Sequence, residues 1–301
     1  MTTHWQLESI VSDLKAARQD WRTLVKRRPE LAGRDLPSRS AMVEIMERMK
    51  GVLFPLRLGP ADLQADSEDV FVADSLAQTL DLLLQQVRLE LGYHARQKKD
   101  CDSVVEAKAR AEGIVSQLAN ALPDIRRALD LDVIAAYEGD PAARSFDEVL
   151  LCYPGVLAMI HHRFAHYLYH SNLPILARIC SELAHSATGI DIHPGATIGR
   201  SFFIDHGTGV VIGETAVIGD HVRLYQQVTL GAKRFVVDED GQLRKGEPRH
   251  PVVEDEVVIY AGATILGRVT IGKGSVIGGN VWVTRSLPPG TRLTQASAHQ
   301  D

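Results

Sequence analysis

The sequence predicts an α+β chain in two parts, an α-helical domain over residues 1–187 followed by a parallel β-helix over residues 188–301. Glycine is distributed unevenly, since 7 of the 24 glycines precede Gly189 and 17 lie from Gly189 onward. From Ile192 onward, aliphatic side chains recur at every sixth residue. A period of six suits short strands joined by tight corners, because it is a multiple of the two-residue repeat of a strand and not of the helical turn.

Apolar residues at helical spacing predict a series of helices before residue 188. The predicted segments run over 5–28, 63–92, 103–122, 124–137, 156–169 and 174–185. Pro123 is expected to separate the third segment from the fourth, because proline is tolerated at a helix start and disrupts a helix interior. Ser145 and Glu148 have the spacing of a capping box and predict a further helix start. This half carries little catalytic signal, and we expect it to serve oligomerisation.

The overall composition excludes several classes of protein. Hydrophobic residues make up 45% of the 301 residues, and 33 basic against 38 acidic residues give a net charge of -5. The chain therefore lacks the excess of positive charge that is typical of proteins that bind nucleic acid or an anionic membrane. The longest nearly apolar run, residues 149–160, is too short for a membrane span, which takes about 20 residues. No signal peptide is visible at the start of the sequence.

Cysteines and clustered histidines are the candidate metal ligands of the helical half. Cys101, Cys152 and Cys180 form no CxxC pair and lie in the half of the chain that is predicted to be helical, which favours reduced thiols in a cytoplasmic protein. The clustered histidines are His161, His162, His166 and His170. The second and third of them share a helix face, but no carboxylate follows at the spacing of a metal motif. Core or interface histidines are the favoured interpretation, and no metal site is expected.

The six-residue repeat covers most of the second half. Its inward-facing positions are expected at Ile192, Ile198, Ile204, Ile212, Ile218, Leu224, Leu230, Val253, Ile259, Ile265, Ile271, Ile277 and Val283. The repeat breaks twice, by a two-residue slip between Ile204 and Ile212 and over residues 232–248, which are rich in charged residues and glycine. Such interruptions are expected to protrude as loops, and protruding loops often carry function. A merely tolerated insertion at 232–248 is the alternative.

Acid–base groups sit at the start of the repeat and at its interruptions. They are Asp191-Ile-His193 at the start, Asp205-His206 at the slip and Arg249-His250 after the long loop. A histidine can take a proton from a hydroxyl near neutral pH, and a carboxylate on its other ring nitrogen fixes the tautomer. No nucleophilic cysteine or Gly-x-Ser-x-Gly elbow accompanies these groups, which favours direct group transfer over a covalent enzyme intermediate.

The spacing of these groups indicates which of them act together. Asp205 and His206 are adjacent, so alternation along an extended strand would point them to opposite faces and different partners. Asp191 precedes His206 by 15 residues. That spacing is close to one coil of about 18 residues, so Asp191 is expected to lie beneath His206 and orient it. Arg249 offers a two-pronged grip on a carboxylate.

Several segments together resemble the serine O-acetyltransferases of the hexapeptide-repeat acyltransferase superfamily. They are the run DIHPGATIGRSFFIDHGTGVVIGET from Asp191 to Thr215, Gln227-Val-Thr-Leu-Gly, Arg249-His-Pro, Gly278-Gly-Asn-Val and Gly139-Asp-Pro-Ala. The resemblance covers residues 140–289, half of the chain, and the helical region before them matches in kind. These motifs are far more specific than hexapeptide repeats alone.

The resemblance implies a fold, a reaction and an assembly. The fold is a left-handed parallel β-helix behind the helical domain. The reaction transfers acetyl from acetyl-CoA to the hydroxyl of L-serine, giving O-acetyl-L-serine for cysteine biosynthesis. Acetyl-CoA is a co-substrate, and no tightly bound cofactor is expected. The chain is expected to form a homotrimer, or a hexamer of two trimers, with the active site between neighbouring β-helices.

The resemblance also implies three catalytic residues. His206 is the general base, paired with Asp191, and removes the serine hydroxyl proton as the oxygen attacks the thioester directly. His250 helps to bind serine and stabilises the tetrahedral intermediate.

The same resemblance implies the binding residues. Arg249 holds the serine carboxylate, and the serine ammonium is received by Asp140 and Asp205. CoA lies along the solenoid and is contacted by the backbone near Gly231 and Ala261.

The chain departs from the family pattern in two places. The long loop begins Gly231-Ala-Lys-Arg-Phe where the family commonly has Gly-Gly-Thr-Gly. Lys233 or Arg234 could meet CoA phosphates, but a solvated loop surface is the favoured interpretation. The chain ends at Asp301 without the isoleucine with which the family docks into O-acetylserine sulfhydrylase. Docking of that partner is therefore expected to be weak or absent, and feedback inhibition by cysteine through the tail loses support.

Three alternatives stay open on the sequence alone. The acceptor could be homoserine, a sugar or an antibiotic, although the aspartates and the arginine named above favour an amino-acid zwitterion. His193, His206 and His250 could bind zinc as in the gamma-class carbonic anhydrases, but that family brings two ligands close together in sequence. A non-catalytic scaffold would require the Asp205-His206 and Arg249-His250 pairs to be incidental.

Overall fold

A computed structural model describes residues 5–25, 36–98, 103–234, 241–244 and 246–298 of the chain. The chain divides into two compact units, Met1–Leu36 and Pro37–Asp301. The first unit contains helix α1, Leu7–Leu24, in which no described residue is buried. The predicted division into residues 1–187 and 188–301 follows secondary structure and stays a prediction. Cys101, the end of the first predicted helix at 26–28, part of the 232–248 loop and Asp301 lie outside the described residues.

The second unit begins with a series of helices. They are α2 (Arg39–Leu53), α3 (Pro55–Leu58), α4 (Glu68–Lys98), α5 (Ser103–Gly139), α6 (Phe146–Cys152), α7 (Pro154–His170) and α8 (Pro174–Thr188), and a short helix α9 (Gln295–Ala298) follows the strands. Helix α2 lies outside every predicted segment and begins after Ser38, whose Oγ accepts a hydrogen bond from the Ala41 N–H at 3.3 Å. Among the described helices, none is long and apolar enough to cross a membrane.

Two local sequence signals in the helical region have opposite outcomes. Ser145 caps α6 as predicted, since its Oγ accepts a hydrogen bond from the Glu148 N–H at 3.0 Å. Pro123, in contrast, lies inside α5, so the predicted break between two helices is wrong. A proline costs a helix interior about 3 kcal/mol. Burial of the apolar face of α5, including Leu118 and Leu129 on either side of Pro123, outweighs this cost.

The strands that follow form a left-handed parallel β-helix, which confirms the predicted fold class. They are β1 (Asp191–Ile192), β2 (Thr197–Ile198), β3 (Phe203–Ile204), β4 (Val211–Ile212), β5 (Val217–Ile218), β6 (Arg223–Leu224), β7 (Thr229–Gly231), β8 (Val252–Val253), β9 (Val258–Ile259), β10 (Thr264–Leu266), β11 (Thr270–Ile271), β12 (Val276–Ile277), β13 (Trp282–Val283) and β14 (Arg292–Leu293). Sheet I contains β1, β4, β7, β10 and β13, sheet II contains β2, β5, β8 and β11, and sheet III contains β3, β6, β9, β12 and β14.

The inward-facing aliphatic positions predicted from the repeat all lie within these strands. Each is the second residue of its strand, and all but Ile198 are buried. Ile192 pairs with Ile212 and Ile212 pairs with Leu230, so the register is kept across the slip. The two extra residues of the slip are therefore absorbed in the corner between β3 and β4, and the 232–248 loop leaves the solenoid between β7 and β8.

A buried ion pair holds the helices against the first coil of the β-helix. Arg163 of α7 donates from Nε and Nη2 to the two carboxylate oxygens of Asp132 in α5, at 2.7 and 2.8 Å. Asp132 Oδ1 also accepts the Phe202 N–H at 3.0 Å, and Arg163 Nη2 donates to the Gly199 carbonyl at 2.8 Å. Two helices and the first coil thus meet at one charged pair that is almost wholly removed from water.

Replacing Asp132 with alanine is expected to destabilise the fold by about 3–5 kcal/mol, because the buried Arg163 guanidinium loses its counter-ion. The matched control is Asp130→Ala on the same helix, which removes a partly exposed ion pair with Arg126 at 2.8 Å. An exposed pair of this kind contributes about 1 kcal/mol or less. Urea unfolding followed by circular dichroism measures both variants, and equal losses of stability would contradict the structural role of the buried pair.

Candidate active site

The chemistry-bearing residues collect at two corners of the β-helix. One corner joins sheet III to sheet I at the end of β3, and the end of α5 comes close to it. We name it the His206 corner, and it consists of Asp140, Tyr153, Asp205, His206 and Arg223. The other corner joins sheet I to sheet II, and the end of α7 contacts it. We name it the His250 corner, and it consists of Tyr169, His193, Glu214, Thr215, Arg249 and His250.

Tyr153 holds the carboxylate of Asp140 in the His206 corner. The Tyr153 hydroxyl donates to Asp140 Oδ2 at 2.5 Å, and the Ala142 N–H donates to Oδ1 at 2.8 Å. These hydrogen bonds, reinforced by His206 and Arg223 nearby, lower the pKa of Asp140 below its ordinary value. The bond to Asp140 also raises the pKa of Tyr153 to about 12. Asp140 is therefore a fixed, ionised carboxylate that suits a cationic ligand.

His206 faces Asp205. His206 Nδ1 lies 3.6 Å from Asp205 Oδ1, so the prediction that the two side chains point to opposite faces is wrong. Strand alternation does not apply because the two residues lie in a turn, where His206 has a left-handed backbone with a φ of 58°. The His206 side chain is 70% exposed and projects beside a largely buried carboxylate. A carboxylate at Nδ1 favours a proton on that nitrogen and leaves Nε2 as the basic one.

Asp191 lies one coil below the His206 corner. The strand register sets Asp191 beside Val211, because the slip lengthens this coil by two residues relative to the repeat. Among the described residues, the carboxylate within ion-pair distance of His206 is that of Asp205. The sequence spacing therefore does not produce a direct contact between Asp191 and His206 within one chain, and the role of Asp191 stays a prediction.

Thr215 determines the tautomer of His250. The Thr215 N–H donates to His250 Nδ1 at 3.1 Å. Thr215 Oγ1 accepts the backbone N–H groups of Arg249 and His250, at 2.8 and 3.1 Å, and lies 2.9 Å from His250 Nδ1. Nδ1 is therefore an acceptor, and the proton of the neutral ring resides on Nε2. The ring packs against Gly213, where a Cβ would lie 2.1 Å from Nε2, so only glycine fits there.

Both histidines of the His250 corner are neutral at pH 7. Burial lowers the pKa of His250 to about 4, and the Arg249 guanidinium acts in the same direction. Burial also lowers the pKa of His193 to about 4, reinforced by Arg178. His193 Nδ1 accepts the Gly195 N–H at 3.0 Å, so its ring proton also resides on Nε2. Neutral N–H donors of this kind suit a carbonyl oxygen or a developing oxyanion.

Glu214 and Tyr169 hold the guanidinium of Arg249. Arg249 Nη2 donates to Glu214 Oε2 at 2.5 Å, and the Tyr169 hydroxyl donates to Glu214 Oε1 at 2.7 Å. Burial alone would raise the pKa of Glu214, but these two hydrogen bonds lower it below its ordinary value. Arg249 Nη1 donates to the carbonyl of Glu247 at 3.3 Å. A guanidinium carries five N–H donors, so the fixed Arg249 side chain retains donors for a carboxylate ligand.

The residues predicted to contact CoA lie at different edges of sheet I. Gly231 ends β7 beside Leu266 of β10, where the 232–248 loop begins. Ala261 lies in the turn between β9 and β10, and its carbonyl accepts a backbone hydrogen bond at 2.9 Å. Lys233 and Arg234, at the start of the loop, are exposed. The roles of these residues toward CoA stay predictions.

The two corners lie at opposite edges of sheet I. His206 precedes a strand of sheet I, whereas Arg249 and His250 come after one and precede a strand of sheet II. Each side of the solenoid takes about six residues, so roughly 15–20 Å separates neighbouring corners at about 3.3 Å per residue. Reacting groups must approach to about 3 Å. Within one chain, therefore, the two corners cannot act on the same small substrate.

Three of the four clustered histidines of α7 lie in the interior of the second unit or at its border, whereas His170 is exposed. His161 and His162 are buried, and burial lowers the pKa of both. His166 Nδ1 lies 2.9 Å from the carbonyl oxygen of Pro194 and donates to it. The contacts of His161, His162 and His166 agree with their interpretation as core histidines.

One group of side chains in the described part of the chain has donor atoms close enough together to hold a metal ion. It consists of Glu182, His185 and Asp191, whose donor atoms lie within 4.8 Å of one another. Arg178 pairs with Glu182 at 2.5 Å, and a guanidinium beside the group opposes a further cation. The contacts fit a polar cluster of which Asp191 is a member.

Five residues of the two corners have no role in the sequence-based predictions, namely Tyr153, Tyr169, Glu214, Thr215 and Arg223 of β6. Tyr153 immediately precedes α7 and Tyr169 lies near its end, and no sequence spacing connects that helix with the repeat. Glu214 and Thr215 lie inside the run that resembles the family, but their partners are Arg249 and His250, 34 and 35 residues further along. Hydrogen bonds between coils leave no local pattern, so only the folded chain reveals them.

The chain is similar to known acetyltransferases in sequence and in structure. The family model for the bacterial transferase hexapeptide (six repeats) matches residues 250–285. The plasmid serine acetyltransferase of Synechococcus elongatus is 53% identical over 298 residues, which cover 99% of this chain and 93% of that protein. Serine acetyltransferase 1 of Entamoeba histolytica, solved with L-cysteine, has a TM-score of 0.71 at 36% identity and covers 85% of this chain and 86% of its own. Soybean serine acetyltransferase, solved with serine, has a TM-score of 0.54 at 31% identity. The match covers 86% of this chain and 97% of the soybean chain.

Replacing Tyr153 with phenylalanine is expected to raise the pKa of Asp140 toward its ordinary value. The Tyr153 hydroxyl donates to the ionised form of Asp140, so its removal makes that form less favourable. The titration of ¹³C-labelled aspartate carboxyls by NMR measures the shift. Tyr167→Phe, within α7 and without a contact to Asp140, is the matched control and should leave Asp140 unchanged. An unaltered Asp140 titration in Tyr153→Phe would show that the hydrogen bond does not hold the carboxylate.

Proposed function

Since this chain belongs to the serine acetyltransferase family, we propose that it transfers acetyl from acetyl-CoA to the hydroxyl of L-serine, giving O-acetyl-L-serine for cysteine biosynthesis. Family membership rests on 53% identity across 99% of the chain. The observation that carries the mechanism is the complementarity of the two corners. One presents an exposed imidazole beside a carboxylate, and the other presents a neutral N–H donor beside a fixed guanidinium.

His206 is the proposed general base. Asp205 lies beside its Nδ1, the nitrogen that must keep its proton, and Asp191, at the start of the strand one coil below, is the proposed second carboxylate partner. Nε2 takes the proton of the serine hydroxyl while the serine oxygen bonds to the thioester carbonyl carbon. The tetrahedral intermediate then breaks its C–S bond, and the departing CoA thiolate takes the proton from His206. The products are O-acetylserine and CoA thiol, with no covalent enzyme intermediate.

His250 is the proposed donor to the oxyanion of the tetrahedral intermediate. Its ring proton resides on Nε2 because Nδ1 accepts from Thr215. With a pKa of about 4, the ring is neutral at pH 7 and donates a hydrogen bond without transferring its proton. Donors that are fixed before the reaction stabilise developing negative charge without any reorganisation. This assignment explains why the two histidines of the site differ in burial: the base His206 is exposed and the donor His250 is buried.

The acceptor site is proposed to bind an amino-acid zwitterion. Arg249, fixed by Glu214, binds the carboxylate, while Asp140 and Asp205 receive the ammonium group. The soybean relative solved with serine supports this class of acceptor, as does the Entamoeba histolytica relative solved with L-cysteine, which carries sulfur in place of the hydroxyl oxygen. Acetyl-CoA is the proposed co-substrate, contacted by the backbone near Gly231 and Ala261.

We assign the complete site to the junction between two copies of the chain in a trimer. The corners are too far apart within one chain, but the His206 corner of one copy and the His250 corner of the next can meet across sheet I. The outward side of sheet I exposes two apolar side chains in the single chain, since Val211 is 38% exposed and Trp282 is 67% exposed. Exposed apolar surface of this kind favours burial against a partner.

The His206→Asn variant is expected to lose about 10²–10⁴-fold in the rate of CoA release from acetyl-CoA with L-serine, because the general base is gone. Asparagine tolerates the left-handed backbone at this position. CoA release is measured by thiol detection, with homoserine, chloramphenicol and a sugar as competing acceptors. Only L-serine should support rapid release by the unmodified protein, and release no higher than background with serine would refute the proposed reaction.

The matched control is His221→Asn. His221 is also an exposed histidine with a left-handed φ, 57° against 58° for His206, but it lies at the corner between sheets II and III. Its activity should stay near that of the unmodified protein. Equal losses in both variants would mean that the substitution harms the solenoid corner and not the catalytic base.

Co-expression of His206→Asn chains with His250→Asn chains is expected to restore activity that neither variant has alone. In mixed trimers, some junctions combine an intact His206 from one copy with an intact His250 from the next. Random mixing makes about a quarter of the junctions intact, so about a quarter of the original activity should return. Native mass spectrometry verifies that mixed trimers form. Mixed trimers without restored activity would show that both histidines act within one chain.

A further inference from the structure

Helix α1 of the first unit carries a heptad pattern. Reading Leu7 as position a, the a and d positions are Leu7, Ile10, Leu14, Ala17, Trp21 and Leu24. The spacing alternates between three and four residues along the whole helix without a break. Sustained alternation of this kind is the signature of a coiled-coil seam, which is narrower than the apolar face of an ordinary surface helix.

The seam is exposed in the single chain. Its five large side chains are between 45% and 81% exposed, and no described residue of α1 is buried. The neighbouring e position holds Val11, which is 58% exposed and widens the apolar strip. A helix of this length is marginally stable by itself, so most of its stability must come from packing of the apolar face. The apolar seam of α1 is therefore expected to pack against a partner helix.

The charges that border the seam select both the partner and its orientation. Asp13 occupies a g position and Arg18 the e position five residues later, and both are exposed. In a parallel, in-register coiled coil, residue g of one helix faces residue e of the next heptad in its neighbour, so Asp13 meets Arg18 of a second copy. In an antiparallel arrangement equivalent positions meet, and Asp13 would face another aspartate. The helix is thus complementary to a parallel copy of itself.

We propose that α1 forms a parallel, in-register coiled coil with α1 of other copies of this chain. Leu at position a with Ile at position d, as in Leu7 and Ile10, favours three or more strands over two. This inference goes beyond the reaction, and it rests on the proposed trimer because the trimer brings the helices of different copies close together. A short coiled coil is weak, and chains already held together raise the effective concentration of their helices to the millimolar range.

Cysteine cross-linking in the full-length chain tests the proposal. In a background of Cys101→Ser and Cys152→Ser, Ala17→Cys places a thiol at a seam position and Ala16→Cys places the matched control one residue away, outside the seam. A second pair, Leu7→Cys in the seam and Glu8→Cys outside it, probes the start of the helix. Both seam variants should form disulfide-linked dimers at least about tenfold faster than their controls under mild oxidation.

The pattern of cross-links separates the possible outcomes. Cross-linking at both seam positions and not at their controls supports the parallel, in-register coiled coil. Cross-linking of Ala17→Cys without cross-linking of Leu7→Cys indicates an antiparallel pair and overturns the proposal. Seam variants that cross-link no faster than their control variants overturn it as well. Native mass spectrometry of the same samples separates the two proposals. A trimer without seam cross-links refutes only the coiled coil, whereas a monomer also refutes the trimer.

A charge exchange tests the pairing of Asp13 with Arg18. Asp13→Arg in the Ala17→Cys chain sets two arginines against each other between copies and should slow cross-linking about fivefold, given the small contribution of each exposed ion pair. The additional change Arg18→Asp restores opposite charges and should restore the rate. A double variant as slow as the single one would contradict the predicted contact between copies.

Discussion

An aliphatic side chain at every sixth residue is the constraint on which the rest of the molecule depends. It fills a core so narrow that most strands have only two residues, and polar groups are left to the outward faces and the corners. Corners absorb extra length without disturbing the core, so Ile212 still pairs with Leu230 after the slip. The slip supplies the turn in which His206 adopts a left-handed backbone beside Asp205. The acid–base residues therefore lie at corners, where the repeat does not fix the backbone conformation.

The helices complete both corners from outside the solenoid. The buried pair of Asp132 and Arg163 anchors α5 and α7 to the first coil, and Gly155 allows α7 to approach so closely that a Cβ would lie 2.4 Å from the Ile204 carbonyl oxygen. Helix α7 then reaches both corners, with Tyr153 just before its start and Tyr169 near its end. Sixteen residues at about 1.5 Å each span roughly 24 Å, which is long enough to bridge the separation of about 15–20 Å between the corners.

Patterns carried by a few neighbouring residues were predictable, and contacts between coils were not. The repeat identified the inward-facing positions, and the spacing of Ser145 and Glu148 identified a helix start. The break expected at Pro123 is absent because burial on either side outweighs a local cost. The side-chain directions expected for Asp205 and His206 are wrong because a turn replaces the strand on which the expectation rested. At Pro123 longer-range packing overrides a local preference, whereas at His206 the local backbone differs from the one that the expectation assumed.

The sequence by itself determined the solenoid, the chemistry-bearing residues and, through its motifs, the family. Periodicity and motifs can be recognised in an amino-acid sequence because each depends on short, fixed spacings between residues. Only the tertiary structure decided that His250 is a neutral Nε2–H donor, that Arg249 is held by Glu214, and that His206 stands at a different edge of sheet I. Those properties arise where separate coils and helices meet, so burial and hydrogen bonding between distant residues determine them.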